Sequence, residues 1–200
     1  ILLIVFKNIF LMKSKSVRNF TKLKKIIDCD CYFSDCMSYR WTLDLKISFN
    51  EKEIIFIGLN PSLSNENLLD NTTKKIIKIC DKYNYGKIKL INLFGLISSS
   101  PKLLITHKDP VGFLNNRVIE NSLNYWSKSI NCDLWLGWGN KGNLFDRDTQ
   151  VYTVIKKYIS IKNKNFSNNE KPVIINKTKK NNPKHPLYCP DNSEFYKLKI

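Results

Sequence analysis

The chain has 200 residues, 42% apolar and 12% aromatic, enough to bury a sizeable core and too many for a disordered polymer. Its net charge of +16 would draw it to polyanions, yet only four of its 33 basic residues are arginine, the fork suited to bidentate phosphate contacts. Lys, Asn and Ile rise together, as in AT-rich coding, so charge alone does not separate a polyanion partner from compositional drift.

Residues 1–11 are apolar but fall short of the roughly 20 needed to span a bilayer. They lack a basic stretch before them and a small-residue cleavage site after them, so no signal peptide and no membrane partner is expected. The expected start is Met12, with residues 1–32 an apolar and basic extension to a single α/β domain over residues 33–200. A cytoplasmic, monomeric protein follows, with cysteines kept as thiols. Cys29, Cys31 and Cys36 form C-x-C-x4-C with no second pair. Zinc sites usually show two pairs, so neither a metal nor any other cofactor is expected.

Residues 14–35, basic and then acidic without a period, read as an arm or a surface helix. Alternation over residues 39–49 predicts a half-buried antiparallel strand. The continuous apolar run 54–59 predicts a central strand covered on both faces. After a polar loop, Asp70 or Thr72 is expected to cap a helix reaching about Tyr83, with Ile76, Ile77, Ile79 and Cys80 inward and Gly86 as its terminator. A second central strand spans 87–94, and Ser98, Ser99, Ser100 and Pro101 open a short helical turn. Asn115 or Asn116 should cap the next helix, which carries Val118, Ile119, Leu123 and Trp126. A third buried strand covers 132–138, a helix follows over about 148–159, and 162–171 reads as a mobile loop. Residues 173–175 form a last short strand. Strands alternating with helices predict a parallel sheet flanked by helices.

Each main strand ends in a polar or glycine corner: Asn60 within Gly58, Leu59, Asn60, Pro61, Ser62; then Asn92; then Gly137, Trp138, Gly139. In a parallel sheet these corners share one edge, where substrates of open sheets bind. Near the C-terminus His185 stands between Lys184 and Pro186, in a frame stiff enough to aim an imidazole at the same edge. Asn60 and Asn92 read either as turn and backbone partners or as amides that orient water and recognise a base edge. An Asn cannot serve as a general base, which leaves Asp70 as the nearest carboxylate, with a plain N-cap as the bland alternative. His185 is either a packed turn residue or a donor to a developing anion. Trp138 and Tyr188 read as core or rim aromatics, or as platforms for a base. His107 reads as incidental.

Taken jointly, Tyr39, Arg40, Trp41 and Leu43; the GLNPS corner at 58–62; Asp70 and Thr72; NLFGL at 92–96; DPVG at 109–112; Trp138 and Gly139; and PKHPLY at 183–188 resemble the bacterial and phage family called domain of unknown function 1643. A looser pattern is similar to the uracil-DNA glycosylase superfamily: Gly-x-Asn-Pro after the first strand, an Asn corner on the second, a glycine corner on the third and a late His-Pro. That resemblance implies a three-layer α/β/α sandwich with a mainly parallel central sheet. It also implies hydrolysis of the N-glycosidic bond of a base in DNA, with the base flipped from the stack. Asn60 would position water, Asn92 would read the base and His185 would stabilise the leaving anion, with Asp70 as a candidate base. Pro61, Ser62, Trp138, Gly139 and Tyr188 would line the substrate. Ser62, where those enzymes usually carry an aromatic residue or glycine, and Leu187-Tyr188 after the His-Pro depart from that pattern. The expected partner is therefore DNA or a nucleotide-like ligand. The alternative is a non-catalytic nucleic-acid or nucleotide-binding protein on the same scaffold.

Overall fold

A computed structural model describes residues 13–16, 26–62, 69–166 and 169–200. Met12, the expected start, lies outside the described residues. The elements in chain order are β1 (Lys13–Ser16), β2 (Asp28–Phe33), β3 (Arg40–Lys46), β4 (Glu53–Gly58), α1 (Asn71–Lys82), β5 (Lys87–Asn92), α2 (Pro101–Thr106), α3 (Asn115–Lys128), β6 (Cys132–Leu136), α4 (Arg147–Phe166), β7 (Val173–Ile174) and β8 (Tyr196–Lys197).

The strands form one eight-stranded sheet in the order β1-β2-β3-β5-β4-β6-β7-β8. Its centre is parallel: β4 pairs with β5 on one side and with β6 on the other, and β6 pairs with β7. The flanks β1, β2, β3 and β8 are antiparallel. The apolar run of β4 is buried on both faces, as its lack of alternation requires. Ile54 and Phe56 join Ile76, Ile79 and Cys80 of α1 in one core. Ile55 and Ile57 point the other way, into a core shared with Ile119 and Leu123 of α3 and Val151 and Ile155 of α4.

A bulge where Tyr32 and Phe33 face Thr42 and Arg40 leaves Trp41 as the extra residue. It sends Trp41 to the α3 side while Leu43 and Leu45 stay with α1. Tyr39 stacks on Trp41 at 5.4 Å and 6°, and its hydroxyl donates to the Asp109 carbonyl at 2.8 Å. Gly112, at φ +82, lies so close that a Cβ there would come within 2.7 Å of the Tyr39 ring. The Tyr-Arg-Trp and Asp-Pro-Val-Gly motifs thus meet as a packing clasp at the sheet edge. His107 joins the clasp, its Nδ1 accepting from the Asp109 amide at 3.1 Å.

Several expectations need correcting. The segment read as an arm or surface helix instead supplies most of β1, a Lys-Ser run without apolar residues, and β2, whose brief Asp-Cys alternation is too short to stand out. The parallel centre and the antiparallel β3 are as expected; the further antiparallel flanks β1, β2 and β8 are not. Helix α1 is capped by Asp70 but ends at Tyr83; Gly86 serves a close approach instead, since a Cβ there would sit 1.9 Å from the Asn50 carbonyl oxygen. Asn115 is not the cap of α3, which begins after Leu114. Its side-chain amide donates to the carbonyls of Asn92 and Leu93 at 3.0 and 2.8 Å. Helix α4 runs on to Phe166, through much of the stretch expected to be a mobile loop.

That extension is held by Lys162, 1% exposed, whose ammonium donates to the carbonyls of Trp126, Ser129 and Cys132 at 3.0, 2.7 and 3.3 Å. It satisfies the open C-terminal end of α3 and the start of β6 together. Cys29 and Cys132 are buried thiols whose burial pushes their pKa up to about 12, the mark of inert packing cysteines. Among the described residues no group of three or more His, Cys, Asp or Glu is placed to hold a metal, and no helix is long and apolar enough to cross a membrane.

Candidate active site

The chain leaves β4 through α1 for β5 on one side, then crosses to β6 on the other. Such a reversal opens a crevice at the carboxyl ends of the strands beside it. A cleft of about 600 Å³ lies there, within the size range of small-ligand sites. It brings together Asn60, Ser62, Trp138, Gly139, His185 and Tyr188.

The β4 corner is fixed by the continuing ladder, with Leu93 and Phe94 donating to the carbonyls of Gly58 and Leu59, each at 2.9 Å. Pro61 holds Asn60 extended, and the Pro61 carbonyl accepts from the Ser98 amide at 2.9 Å. Asn60 Nδ2 donates to the carbonyls of Pro61 and Ser98 at 2.9 and 2.8 Å. Both amide hydrogens are thereby committed to the backbone, which leaves Oδ1, an atom that can only accept.

Asp70 lies just behind. Its Oδ1 accepts from the Thr73 amide at 2.6 Å as the cap of α1, and its Oδ2 accepts from the Ser62 hydroxyl. Burial raises its pKa, but those hydrogen bonds and the nearby Arg40 charge outweigh burial and hold the carboxyl below its ordinary value. Asp70 is a committed carboxylate with little pull on a further proton.

The opposite wall is the His-Pro corner. Gly139, at φ +72, donates its amide to the Pro183 carbonyl at 2.8 Å, and a Cβ there would reach His185 at 3.4 Å. A Cβ on Gly137 would lie 2.6 Å from the Phe56 ring and 3.3 Å from the Pro186 ring, so that glycine chiefly makes room for Phe56 while the His-Pro segment packs beside it. Behind this corner Asp191 bonds Lys75 and Lys78 of α1, and Tyr83 donates to the Ser193 carbonyl at 3.3 Å, strapping the segment to the helix. His185 Nδ1 accepts from the Leu187 amide at 3.4 Å, which puts the imidazole proton on Nε2. Burial pushes the His185 pKa below its ordinary 6.5, against a smaller opposing pull from Asp70, so the ring is a neutral donor at pH 7. As pH falls below 6.5 the unfolded chain takes up this proton first, so stability declines through that window. We expect a two-dimensional NMR titration to find the midpoint of His185 below its ordinary 6.5; a midpoint at or above that value would mean a ring open to solvent.

Trp138 is 1% exposed, packed edge-to-face on Tyr152 at 5.1 Å, and belongs to the core behind the cleft. Tyr188, 73% exposed, stands at the rim 5.9 Å from the His185 ring. Asn92 is buried on β5 beneath the β4 corner, its Oδ1 2.8 Å from where a Gly58 Cβ would lie, and is not among the residues lining the cleft. Pro61 is likewise buried under the corner.

The cleft also has components that the motifs did not point to. Lys141 lines it from the turn after β6, and Lys177, Lys179 and Lys184 from the hairpin over residues 176–184. That hairpin is closed by the Lys177–Pro183 bridge and by Lys184 donating to the Asn176 carbonyl at 2.8 Å. Thr72, Ser98 and Ser99 complete the polar lining. In a chain so rich in lysine, nothing local sets these four apart.

Fold and cleft together define a mixed α/β protein with a basic, hydrogen-bonding crevice at the carboxyl ends of its parallel strands. The chain belongs to the family described as Protein of unknown function (DUF1643), whose profile matches residues 40–187. No curated protein and no solved structure is significantly similar to it.

Proposed function

We propose that this cleft hydrolyses the N-glycosidic bond of a base in DNA. The observation that carries the reading is the pairing, in one cleft, of an acceptor-only amide oxygen on Asn60 with a neutral, donor-bearing imidazole on His185. Water accepted by Asn60 is aimed at the sugar carbon, and the base departs with the electron pair of the broken bond. The water supplies hydroxyl to the sugar, and its proton ends on the released base. His185 Nε2–H stabilises the base while it is anionic. Helices on both faces of a sheet with a parallel centre fit the three-layer α/β/α sandwich of the uracil-DNA glycosylase superfamily.

A second reading, a nucleic-acid or nucleotide-binding protein without catalysis, is favoured by two observations. Both oxygens of Asp70 are engaged, and Asn92 sits outside the cleft lining. A panel of oligonucleotides bearing uracil, hypoxanthine and modified bases decides between them. Abasic sites after incubation, lost in Asn60→Ala and His185→Ala, support the hydrolase. Binding across the panel without any base release assigns the protein to the second reading.

A further inference from the structure

The basic residues of this chain are not all alike. Lys52, Lys75, Lys78, Lys87, Lys89 and Lys157 each lie within ion-pair reach of an Asp or Glu. Among the described residues none of the four cleft lysines has such a partner, and none of the described residues lining the cleft is acidic. Lys128 and Lys156 on the helices have no such partner among the described residues either, so the distinction of the cleft is convergence: four lysines face one concave space whose lining holds no acid. Three of the four ride on one hairpin whose backbone bonds fix it beside His185. Four like charges around one concave space repel one another, a cost that a polyanion removes.

We propose that the ligand of this cleft carries a run of phosphates, held by Lys141, Lys177, Lys179 and Lys184, with its base end turned toward Asn60 and His185. This rests on the reading of the cleft as a nucleotide-type site and names which part of the ligand each wall takes. Lysine ammonium groups are point charges without the planar fork of arginine, so they meet phosphate charge and do not read sequence. The exposed ring of Tyr188 stands at the rim beside His185, in reach of a base or sugar leaving the phosphate track. The same chemistry is offered by a nucleoside triphosphate and by a nucleic-acid strand.

The test compares Lys177→Gln/Lys179→Gln/Lys184→Gln with Lys128→Gln/Lys156→Gln/Lys157→Gln, which removes equal charge from α3 and α4. Anisotropy of a labelled single-stranded oligonucleotide, and competition by a nucleoside triphosphate, are read over a salt series. Thermal unfolding of each variant confirms that it is folded. The hairpin triple should weaken binding at least tenfold at about 0.1 M salt. It should also flatten the log–log salt slope by about 2, because each phosphate neutralised on a single strand adds about 0.7 to that slope. The helix triple should stay within about twofold of the parent. Weakening confined to the oligonucleotide identifies a strand; weakening for the triphosphate as well identifies phosphate binding at the nucleotide level; both support the proposal. Equal weakening in the two triples, or none in the hairpin triple, overturns it. Base release is scored separately. A hairpin triple that binds like the parent while the parent cleaves bases defeats the phosphate track and leaves the hydrolase standing. Salt-sensitive binding abolished in the hairpin triple, with no base release by the parent, does the reverse.

Discussion

Lys162→Ala is expected to lower the free energy of unfolding by about 3–4 kcal/mol, from a cavity and from three carbonyls that lose the ammonium as donor. The ammonium of Lys162 is the joint at which the end of α3, the start of β6 and the outer half of α4 meet. Water cannot easily replace it, because the side chain is almost wholly enclosed. Lys162→Met keeps much of the volume but not the hydrogen bonds, so it should recover the cavity part and lose about 2 kcal/mol. Urea unfolding followed by tryptophan fluorescence measures both, Trp126 lying beside the ammonium at 5.1 Å. A loss under about 1 kcal/mol for the alanine variant would mean that the carbonyls find other donors.

On the proposed hydrolase reading, His185→Ala should reduce base release by about 10²- to 10³-fold, the usual consequence of removing one donor to a developing anion. The effect belongs in kcat rather than KM, since the donor is needed by the departing base and not by the bound substrate. Asn60→Ala should also be severe, but through two routes. It removes the oxygen proposed to aim water, and it releases the carbonyls of Pro61 and Ser98, which tie the β4 corner to the β5 corner. Asn60→Asp separates them: it keeps the size and an acceptor oxygen but loses the donors to those carbonyls. A His185→Ala variant with unchanged kcat would place anion stabilisation elsewhere.

The central architecture was legible because the physics that forms it is local. The unbroken apolar run of β4 demanded cover on both faces, and Asp70 before an amphipathic stretch announced α1. The two walls of the cleft were legible too, since glycine and proline fix backbone direction whatever surrounds them. What escaped was decided by distant partners. The strand β2 exists because β3 offers an edge to pair with, and β1 because β2 then offers one, which the brief alternation within 14–35 does not reveal by itself. The last turns of α4 depend on the carbonyls that Lys162 caps, and those belong to other elements. Asn92, expected to read a base, has the right corner but lies under Gly58, where the absence of a Cβ lets it tuck inward. The lysines that line the cleft look like every other lysine in the chain until the fold shows which of them converge on one acid-free space.

The hairpin that carries three of those lysines comes late in the chain, long after the β4 corner it faces. During synthesis the first wall of the cleft leaves the ribosome well before the second, and the two meet only when the last quarter of the chain can pair β7 beside β6. Contacts so distant in sequence close slowly and late in folding. Until then the proposed lysine track is not assembled, and a truncated product would lack it altogether. The convergence of these charges, unlike the charge itself, is in this way a property that only the finished fold acquires.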